Sequence, residues 1–375
     1  MPTPNDPSPR DSVSRAQTPS SSAQSKRRST PLAQTPRAST LADVAAASGV
    51  AISTASRALS NPDRVNPLTR ERIEAAARDL HYQPNSQARA LASGRTRAIA
   101  LLVSDVTNPF YFGLIRGAQQ QSKAAGYMQI LVDTEESEEL EDTTLKTLRR
   151  SFDGAILAAS RLSDRRLAAL ATELPIVAVN RHVKGVATVA IDTPSGVSQA
   201  VEHLVSLGHR EIAYAAGPET SWSNAARWRS IERSGARYGV ATTRIGPFAP
   251  KQTAGAAAAD ALLNSAATAC IAFNDLLAIG ILTRLQTRKV RVPDDISVVG
   301  CDDIFGADFC QPPLTTLTAP IEQAGRMAVA ILLDQLERGR PTGARQSATL
   351  PTYLTVRAST GPAPEAQIAN RHQNS

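Results

Sequence analysis

The region that most constrains the fold begins near Ile99, where short apolar runs alternate with helical patterns. The runs are AIALLVSD, MQILVDT, GAILAAS, PIVAVNR, TVAIDT, EIAYAAG, ACIAFND and ISVVGCDD, and the helical segments between them include 112–125, 195–207, 255–263 and 275–287. Continuous apolar runs of this length indicate strands buried on both faces, and their alternation with helices indicates parallel sheets. About 250 residues of this pattern suggest two lobes. We therefore predict a two-lobed α/β core over 98–357.

Polar and aromatic residues follow these predicted strands, one after another. They include the segment VTNPFY after the first run, then Asp192, Ser221–Asn224, Arg227, Phe248, Asn274–Asp275 and Asp302–Asp303. In open α/β folds ligands bind beyond the carboxyl ends of the strands, where aromatic faces can stack on a ring and polar groups can bind hydroxyls. Any one of these residues is better explained as a turn former or a strand-end cap. Their recurrence nevertheless favours a site for a sugar, polyol or nucleoside.

Upstream, residues 40–60 (TLADVAAASGVAISTASRALS) read as two short helices joined by a turn at Gly49. Thr40 can cap the first helix, and Leu41, Val44 and Ala45 recur at helical spacing. The second helix, 52–59, has one apolar face and one polar face. The apolar face carries Ala55, Ala58 and Leu59, and the polar face carries Ser53, Thr54, Ser56 and Arg57. This layout is typical of a helix-turn-helix that reads DNA, although an ordinary helical hairpin is the alternative.

A third helix and a marginal fourth segment follow. Asn66 and Pro67 favour a helix start, and the helix from Leu68 to about His81 would close a three-helix core. The segment 85–93 has little apolar surface, so it would form a helix only against a second copy or a DNA groove. Its groove-suited residues are Asn85, Arg89 and Leu91. Arg can neutralise a narrow minor groove and Leu can wedge between base steps, while a plain linker is the alternative.

The net positive charge of the chain is confined to its first 98 residues. Residues 1–40 carry six Lys and Arg against two Asp, and residues 41–98 carry eight Arg against five Asp and Glu, so the rest of the +7 chain is neutral. Charge confined to the helical module indicates a polyanionic partner for that module. The Ser- and Pro-rich arm 1–38, with its basic cluster 26–28, is predicted to be disordered. It either adds phosphate attraction or has no role.

Several classes of protein are disfavoured. No apolar run approaches the roughly 20 residues of a membrane span, and the first residues contain no apolar segment typical of a secretory signal. Three scattered cysteines indicate neither a metal site nor a disulfide framework, so we expect a cytoplasmic protein without a metal, cofactor or membrane partner. GxSxG, HExxH, Walker A and GxGxxG motifs are missing, so we predict no enzyme. A transporter's solute-binding protein fits the core but not the basic helical module.

Taken together, the motifs resemble those of the LacI/GalR family of bacterial transcription regulators. They are TLADVAAASGV, STASRALS, TRERIEAAARDLHYQPN, ARALASGRT, LLVSDVTNPFY, HLVSLGHREIAYAAGP, AFNDLLAIG, VRVPDDISVVGCDD and PPLTTL, in that order between Thr40 and Arg357. The resemblance implies a headpiece over 39–84 and a hinge helix or linker over 85–97. It also implies a periplasmic-binding-protein-like core whose lobes are joined by three crossovers, and a disordered tail over 358–375. We expect a homodimer, possibly a tetramer, on pseudo-palindromic operator DNA.

The resemblance also implies residue roles. Ile52, Ser53 and Arg57 match base-reading positions, Thr54 and Ser56 match phosphate-contacting positions, and we include Thr40 in the DNA-binding set. Asn85, Arg89 and Leu91 match the hinge helix that enters the minor groove. The effector positions are Phe110, Tyr111, Asp192, Ser221, Ser223, Arg227, Phe248, Asp275 and Asp302. Trp222 is added as a residue that stacks on a ligand ring, with a structural role at the lobe junction as the alternative.

Two departures from the family pattern lie in the headpiece. Ala51 stands where Ser usually caps the recognition helix, and Ala55 stands where Val is usual. Loss of the cap is expected to cost about 1 kcal/mol of helix stability. Both changes weaken the isolated headpiece, so we expect it to order mainly on DNA. Farther along the chain, Cys301 replaces a common aromatic and Ser230 replaces a frequent Gly.

Overall fold

The computed structural model describes residues 39–60, 62–83, 94–338 and 346–364. The chain divides into two compact units, 1–84 and 85–375. The predictions for the arm 1–38, for Asn85, Arg89 and Leu91, and for 365–375 lie outside the described residues. In the part that is described, no helix is both long and apolar enough to cross a membrane.

The first unit, which we call the headpiece (39–83), is helical as predicted. Its elements are α1 (Leu41–Ser48), α2 (Ile52–Ser60), a 3₁₀ turn (Pro62–Arg64) and α3 (Pro67–Asp79). Thr40 begins α1 in a capping box with Asp43, and Gly49 ends it in the left-handed conformation (φ 65°) that favours glycine. Asn66 caps α3 through the Leu68 amide at 3.0 Å. The predicted helix starts and the glycine turn are therefore confirmed.

The headpiece core is very small. Its buried hydrophobic side chains are Val44, Ala45, Ala55, Ala58 and Ile73, surrounded by half-buried apolar residues. These side chains lie on the predicted apolar faces of the three helices. Because three helices share so few buried groups, each helix depends on the other two for its stability.

The second unit contains two parallel sheets with helices packed on them. Its elements are β1 (Ala98–Val103), α4 (Phe110–Ala124), β2 (Met128–Asp133), α5 (Glu138–Leu148), β3 (Gly154–Ala158), α6 (Asp164–Glu173), β4 (Ile176–Val179), β5 (Ala187–Ile191), α7 (Thr193–Ser206), β6 (Glu211–Ala215), α8 (Trp222–Tyr238), β7 (Ala241–Ile245), a 3₁₀ turn (Gln252–Ala254), α9 (Gly255–Leu263), β8 (Ala269–Ala272), α10 (Asp275–Thr287), β9 (Ser297–Cys301), β10 (Thr315–Thr318), α11 (Ile321–Arg338), β11 (Ser347–Leu350) and β12 (Tyr353–Thr355). The predicted strands and helices are confirmed, including the bounds of α9 and α10.

Each sheet is the centre of one lobe. The first lobe has the order β11-β5-β4-β3-β1-β2, all parallel, and the second has the order β12-β10-β9-β8-β6-β7, in which only β12 runs antiparallel. In the first lobe Leu101 lies opposite Leu131 and Ile156. The chain passes between the lobes after β5, after β10 and between β11 and β12, which confirms the three expected crossovers.

Two expectations are wrong in part. Buried strands were predicted throughout, but β2 and β7 lie at sheet edges and are partly exposed, because an edge strand has a neighbour on one side only. The disordered tail was predicted to begin at 358, but residues 358–364 pack on the second lobe. Ser359 is buried and donates to the Val298 carbonyl at 2.6 Å, and the Ala363 amide donates to the Leu207 carbonyl at 2.8 Å. Backbone and hydroxyl hydrogen bonds hold this segment in place. Its sequence has no apolar pattern that would have predicted this packing.

Candidate functional site

The predicted DNA-reading face of α2 is on the outside of the headpiece. Ser53, Ser56 and Arg57 are exposed, and Ile52 is 54% exposed, while Ala55 and Ala58 of the same helix are buried. Thr54 is half-buried. An exposed helix face of hydroxyls, one apolar side chain and one Arg has the chemistry that contacts base edges and phosphates in a major groove. Thr40 is half-buried at the start of α1, where its hydroxyl donates to Asp43 at 2.7 Å.

The start of α2 lacks a side-chain cap, as its sequence predicts. The amides of Thr54 and Ala55 donate to the Ala51 carbonyl at 2.9 and 3.0 Å, as at a helix start. Ala51 has no side-chain oxygen that could accept a bond from the remaining amides of the first turn.

A cavity lies between the two lobes of the core, at the carboxyl ends of their strands. Its lining residues are Asn108, Phe110, Tyr111, Glu136, Ala159, Arg161 and Asn180 from the first lobe, and Ser221, Ser223, Arg227, Pro250, Phe273, Asn274 and Asp302 from the second. Its volume is about 30 Å³. Sites for drug-sized ligands span roughly 300–1,000 Å³, so a ligand of that size requires the lobes or the lining side chains to move apart.

Arg227 dominates the side of the cavity that belongs to the second lobe. Its buried guanidinium lies 5.0 Å from the centroid of the Phe273 ring, and it donates to the Phe273 carbonyl and to Asp302, the latter at 3.4 Å. Burial raises the pKa of the Asp302 carboxyl to about 8, and the charge of Arg227 opposes this rise. Ser221 positions the helix that carries Arg227, because its hydroxyl caps α8 at the Asn224 amide.

Arg161 is the corresponding cation of the first lobe. Its Nε donates to Glu136 at 2.7 Å, and its Nη1 donates to the Ala159 carbonyl at 3.0 Å. The Arg161 amide donates to the buried carboxylate of Glu141 at 2.9 Å, and burial raises the pKa of that carboxyl. Each lobe therefore brings one arginine and one carboxyl group to the cavity.

The backbone around the cavity is strained. Positive φ angles occur at Glu136 (61°), Ala159 (52°), Asn180 (57°) and Asp302 (134°), which line the cavity and follow β2, β3, β4 and β9. Such conformations cost roughly 1–3 kcal/mol each for non-glycine residues, and they concentrate at functional sites. The strained residues therefore support this edge of the two sheets as a candidate functional site.

Two buried polar atoms in the cavity wall lack a hydrogen-bond partner among the described residues. They are Oδ1 of Asn180 in the first lobe and Nε of Arg227 in the second. Buried polar groups are nearly always satisfied, by water or a ligand if not by protein. One free acceptor and one free donor on opposite walls suit a ligand with hydroxyl groups, which both donate and accept.

Sequence comparison places this architecture among bacterial regulators. Residues 40–85 match "Bacterial regulatory proteins, lacI family", and residues 201–360 match "Periplasmic binding protein-like domain". The chain is 31% identical over 345 residues to the HTH-type transcriptional regulator DegA of Bacillus subtilis, with 86% of this chain and 98% of DegA covered. It is 32% identical over 333 residues to the HTH-type transcriptional repressor CytR of Escherichia coli K12, with 86% and 96% covered. The chain belongs to the lacI family.

Solved structures of similar proteins agree with this lacI-family assignment. The Lac repressor dimer bound to operator and the anti-inducer ONPF superposes with a TM-score of 0.78 at 27% identity, covering 87% of this chain and all of that one. A CelR–cellobiose complex gives 0.63 at 30% identity, covering 86% and 99%. The protein is thus a DNA-binding transcriptional regulator with a helix-turn-helix and a periplasmic-binding-protein-like core, which confirms the predicted family and fold class.

Six of the ten predicted effector residues of this lacI-family regulator line the cavity, and the other four have other surroundings. Asp192 caps α7 through the Ser195 amide at 3.2 Å and lies at the first crossover. Asp275 is buried and accepts from the Thr316 hydroxyl and the Ile304 amide, while Trp222 and Phe248 are half-buried and do not line the cavity. In this conformation the four residues do not line the cavity, and their contacts with a ligand stay a prediction. Asp192 and Asp275 show that a residue after a strand also caps the next helix or braces a loop.

Glu136, Arg161 and Asn180 were missed by sequence reasoning although they line the cavity. The same strand-end rule identifies them, because they closely follow β2, β3 and β4. The predicted residues of the first lobe follow β1 or β5, so the three residues after β2, β3 and β4 were not predicted.

Proposed function

We propose that this regulator is a repressor whose affinity for its operator is controlled by a small polyhydroxy effector bound between the lobes. The observation that carries the proposal is the pair of unsatisfied buried groups, Asn180 Oδ1 and Arg227 Nε, on opposite walls of one cavity. A ligand that bridges these walls favours one lobe arrangement over another, which is the requirement for control of DNA binding. Among similar proteins, CelR was solved with cellobiose, and a regulator from Enterococcus faecalis was solved with ribose.

On the DNA side, we propose that α2 enters the major groove of each half-site. Ile52, Ser53 and Arg57 then contact bases, with Arg57 as the candidate for a bidentate guanine contact. Thr54, Ser56 and Thr40 contact phosphates or position the helix. The hinge residues Asn85, Arg89 and Leu91 act in the adjacent minor groove. Exposure of the α2 face supports the first of these assignments.

We propose that two copies bind a pseudo-palindromic operator together. The loop between β9 and β10 carries Phe305 and Phe309, which are 79% and 61% exposed and lie edge to face at 5.1 Å between ring centroids. Because exposed apolar surface is often found at protein interfaces, we assign this pair to the interface between the two copies. Replacing both with Ser is expected to shift the protein from dimer to monomer in sedimentation velocity, and an unchanged dimer would place the interface elsewhere.

A thermal-shift screen of sugars, polyols and nucleosides tests the effector proposal, because a compound that binds the folded state raises the melting temperature by mass action. Each compound that raises it is then added to a titration of the protein on its own promoter DNA. Arg227→Lys keeps the charge but removes the guanidinium, so it should lose the thermal shift while the ligand-free protein still binds the promoter. If no compound shifts the melting temperature, or if shifts occur without an effect on DNA binding, the proposal fails.

We also propose that the core has no enzymatic activity and that the protein acts in the cytoplasm. The support for this proposal is the set of curated relatives, which are transcriptional regulators. Incubating a compound identified in the screen with the protein, and recovering it unchanged, tests the first point.

A further inference from the structure

Asp105 presents an unusual carboxylate beside the effector cavity. It follows β1 and is 7% exposed. Its Oδ1 accepts from the Thr107 amide at 2.9 Å and from the Thr107 hydroxyl at 2.5 Å. Its Oδ2 is buried and accepts no hydrogen bond from any described residue. A buried carboxylate oxygen without a partner is costly, so a compensating charge is needed nearby.

Lys251 of the second lobe supplies that charge across the cleft. Its Nζ lies 3.9 Å from Asp105 Oδ2, and its side chain is 57% exposed. The loop that carries it is fixed to the cavity wall, because the side-chain amide of Asn274 donates to the carbonyl of Pro250 at 3.0 Å. Pro250 and Asn274 line the cavity on this side, and Asn108, three residues after Asp105, lines it on the other. The pair therefore lies beside the effector cavity and joins its two walls.

The location of the pair determines what it can do. Half-exposed ion pairs contribute little to folding, since water replaces the partner when they separate. However, this pair joins one lobe to the other, so its interaction is present only when the lobes approach. A second polar contact across the cleft, from the Ser223 hydroxyl to the Asn180 carbonyl, is long at 3.5 Å. The charge pair is therefore placed to bias the balance between open and closed lobes.

We propose that Lys251 and Asp105 form a latch across the cleft, which sets how readily the lobes close and thereby the affinity for the effector without contacting it. Its biological meaning rests on the proposed effector function, but the latch itself acts in the ligand-free protein. A ligand needs the cavity to open from its present volume of about 30 Å³, and each opening breaks the pair. Weakening the latch shifts the open–closed ratio by about twofold to fivefold, as expected for an ion pair of this exposure.

Hydrogen exchange on the full-length protein, without effector or DNA, tests the latch. Lys251→Gln and Asp105→Asn each remove one charge, and Asp105→Asn keeps an oxygen that can accept from Thr107. Each variant is expected to speed exchange about twofold to fivefold in peptides that cover 104–112 and 246–254, while peptides that cover β9 stay unchanged. The double variant should exchange no faster than either single variant, because both remove the same interaction. High salt should reduce the difference from wild type.

Lys184→Glu is the matched control for a third variant, Lys251→Glu, because it makes the same charge change at an exposed lysine before β5. Lys251→Glu should open the cleft further than Lys251→Gln, but not when Asp105 is replaced by Asn, and Lys184→Glu should not open it. Unchanged exchange in Lys251→Gln, or additive effects in the double variant, overturns the latch. The exchange experiment does not depend on the ligand screen. Failure of the effector proposal would therefore not contradict the latch, and failure of the latch would not contradict the effector proposal.

Discussion

The headpiece and the core place their functional residues in opposite ways. The headpiece holds its proposed DNA contacts on the exposed side of α2, above a core of five buried side chains. The core holds its proposed ligand contacts between two lobes, each with extensive buried clusters of its own. The headpiece can therefore lose its function through a small loss of stability. In the core, function depends on the position of the lobes and of buried charges.

The largest effect is expected when one buried isoleucine is replaced by alanine in each of the two regions. Ile73→Ala in the headpiece and Ile156→Ala in the core both truncate a fully buried side chain, and each should cost about 2–5 kcal/mol. We expect Ile73→Ala to unfold the headpiece and abolish promoter binding, whereas Ile156→Ala should leave a folded core with a lower melting temperature. Circular dichroism and promoter titration measure both effects. If both variants bound the promoter equally well, the proposed difference between the headpiece and the core would be wrong.

Arg57→Ala tests whether the exposed face of α2 reads bases. A lost bidentate guanine contact costs about 1–3 kcal/mol, so promoter affinity should fall by about fivefold to 150-fold while the melting temperature is unchanged. Fluorescence anisotropy at moderate salt measures the affinity. Exposed Arg64, replaced by Ala, is the control for loss of one positive charge outside α2. Equal losses in both variants would assign Arg57 a general electrostatic role instead.

Asp302 tests the buried charges of the core. Because burial raises the pKa of this carboxyl from 3.8 to about 8, the folded state keeps a proton that the unfolded state releases. Unfolding therefore releases a proton between these values, and stability should fall as the pH rises from 5 to 8, by up to about 1.4 kcal/mol per pH unit. Asp302→Asn should flatten this dependence in denaturant titrations. A wild-type stability that rises over this window would contradict the shift.

Ala51→Ser has the smallest expected effect, and it should raise the stability of the headpiece rather than lower it. A hydroxyl at the start of α2 can accept from an unpaired amide of its first turn, which should stabilise the headpiece by about 1 kcal/mol. A higher headpiece melting temperature with the core transition unchanged would support this interpretation. Ala51→Val, which adds no hydroxyl and is as poor a cap as Ala, serves as the control and should give no gain.

Local patterns made most of the fold predictable. The helix starts at Thr40 and Asn66, the turn at Gly49 and the bounds of α9 and α10 follow from capping and periodicity, which act over a few residues. The two parallel sheets follow from apolar runs between helices. The late strands β10, β11 and β12 were not predicted individually, because they are short, rich in Thr and Ser, and owe their conformation to pairing with distant strands.

The site was predicted less completely. Strand ends identify residues near a cleft, but Asp275 and Asp192 share that property with Asp302, make structural hydrogen bonds and do not line the cavity. Which carboxylate faces the cavity depends on backbone angles at each strand end, such as the positive φ of Asp302. Those angles are fixed by packing between elements far apart in the chain.

The sequence by itself determined the family, the helix proposed to read DNA and the alternation that builds two lobes, because these properties depend on composition and on spacing within single elements. The tertiary structure decided which polar groups meet. It brought Arg161 and Asn180 opposite Arg227, buried Asp105 within reach of Lys251, and held residues 358–364 on the second lobe. Pairings of this kind bring together residues far apart in the chain, such as Asp105 and Lys251, which are 146 positions apart, and no local pattern encodes them.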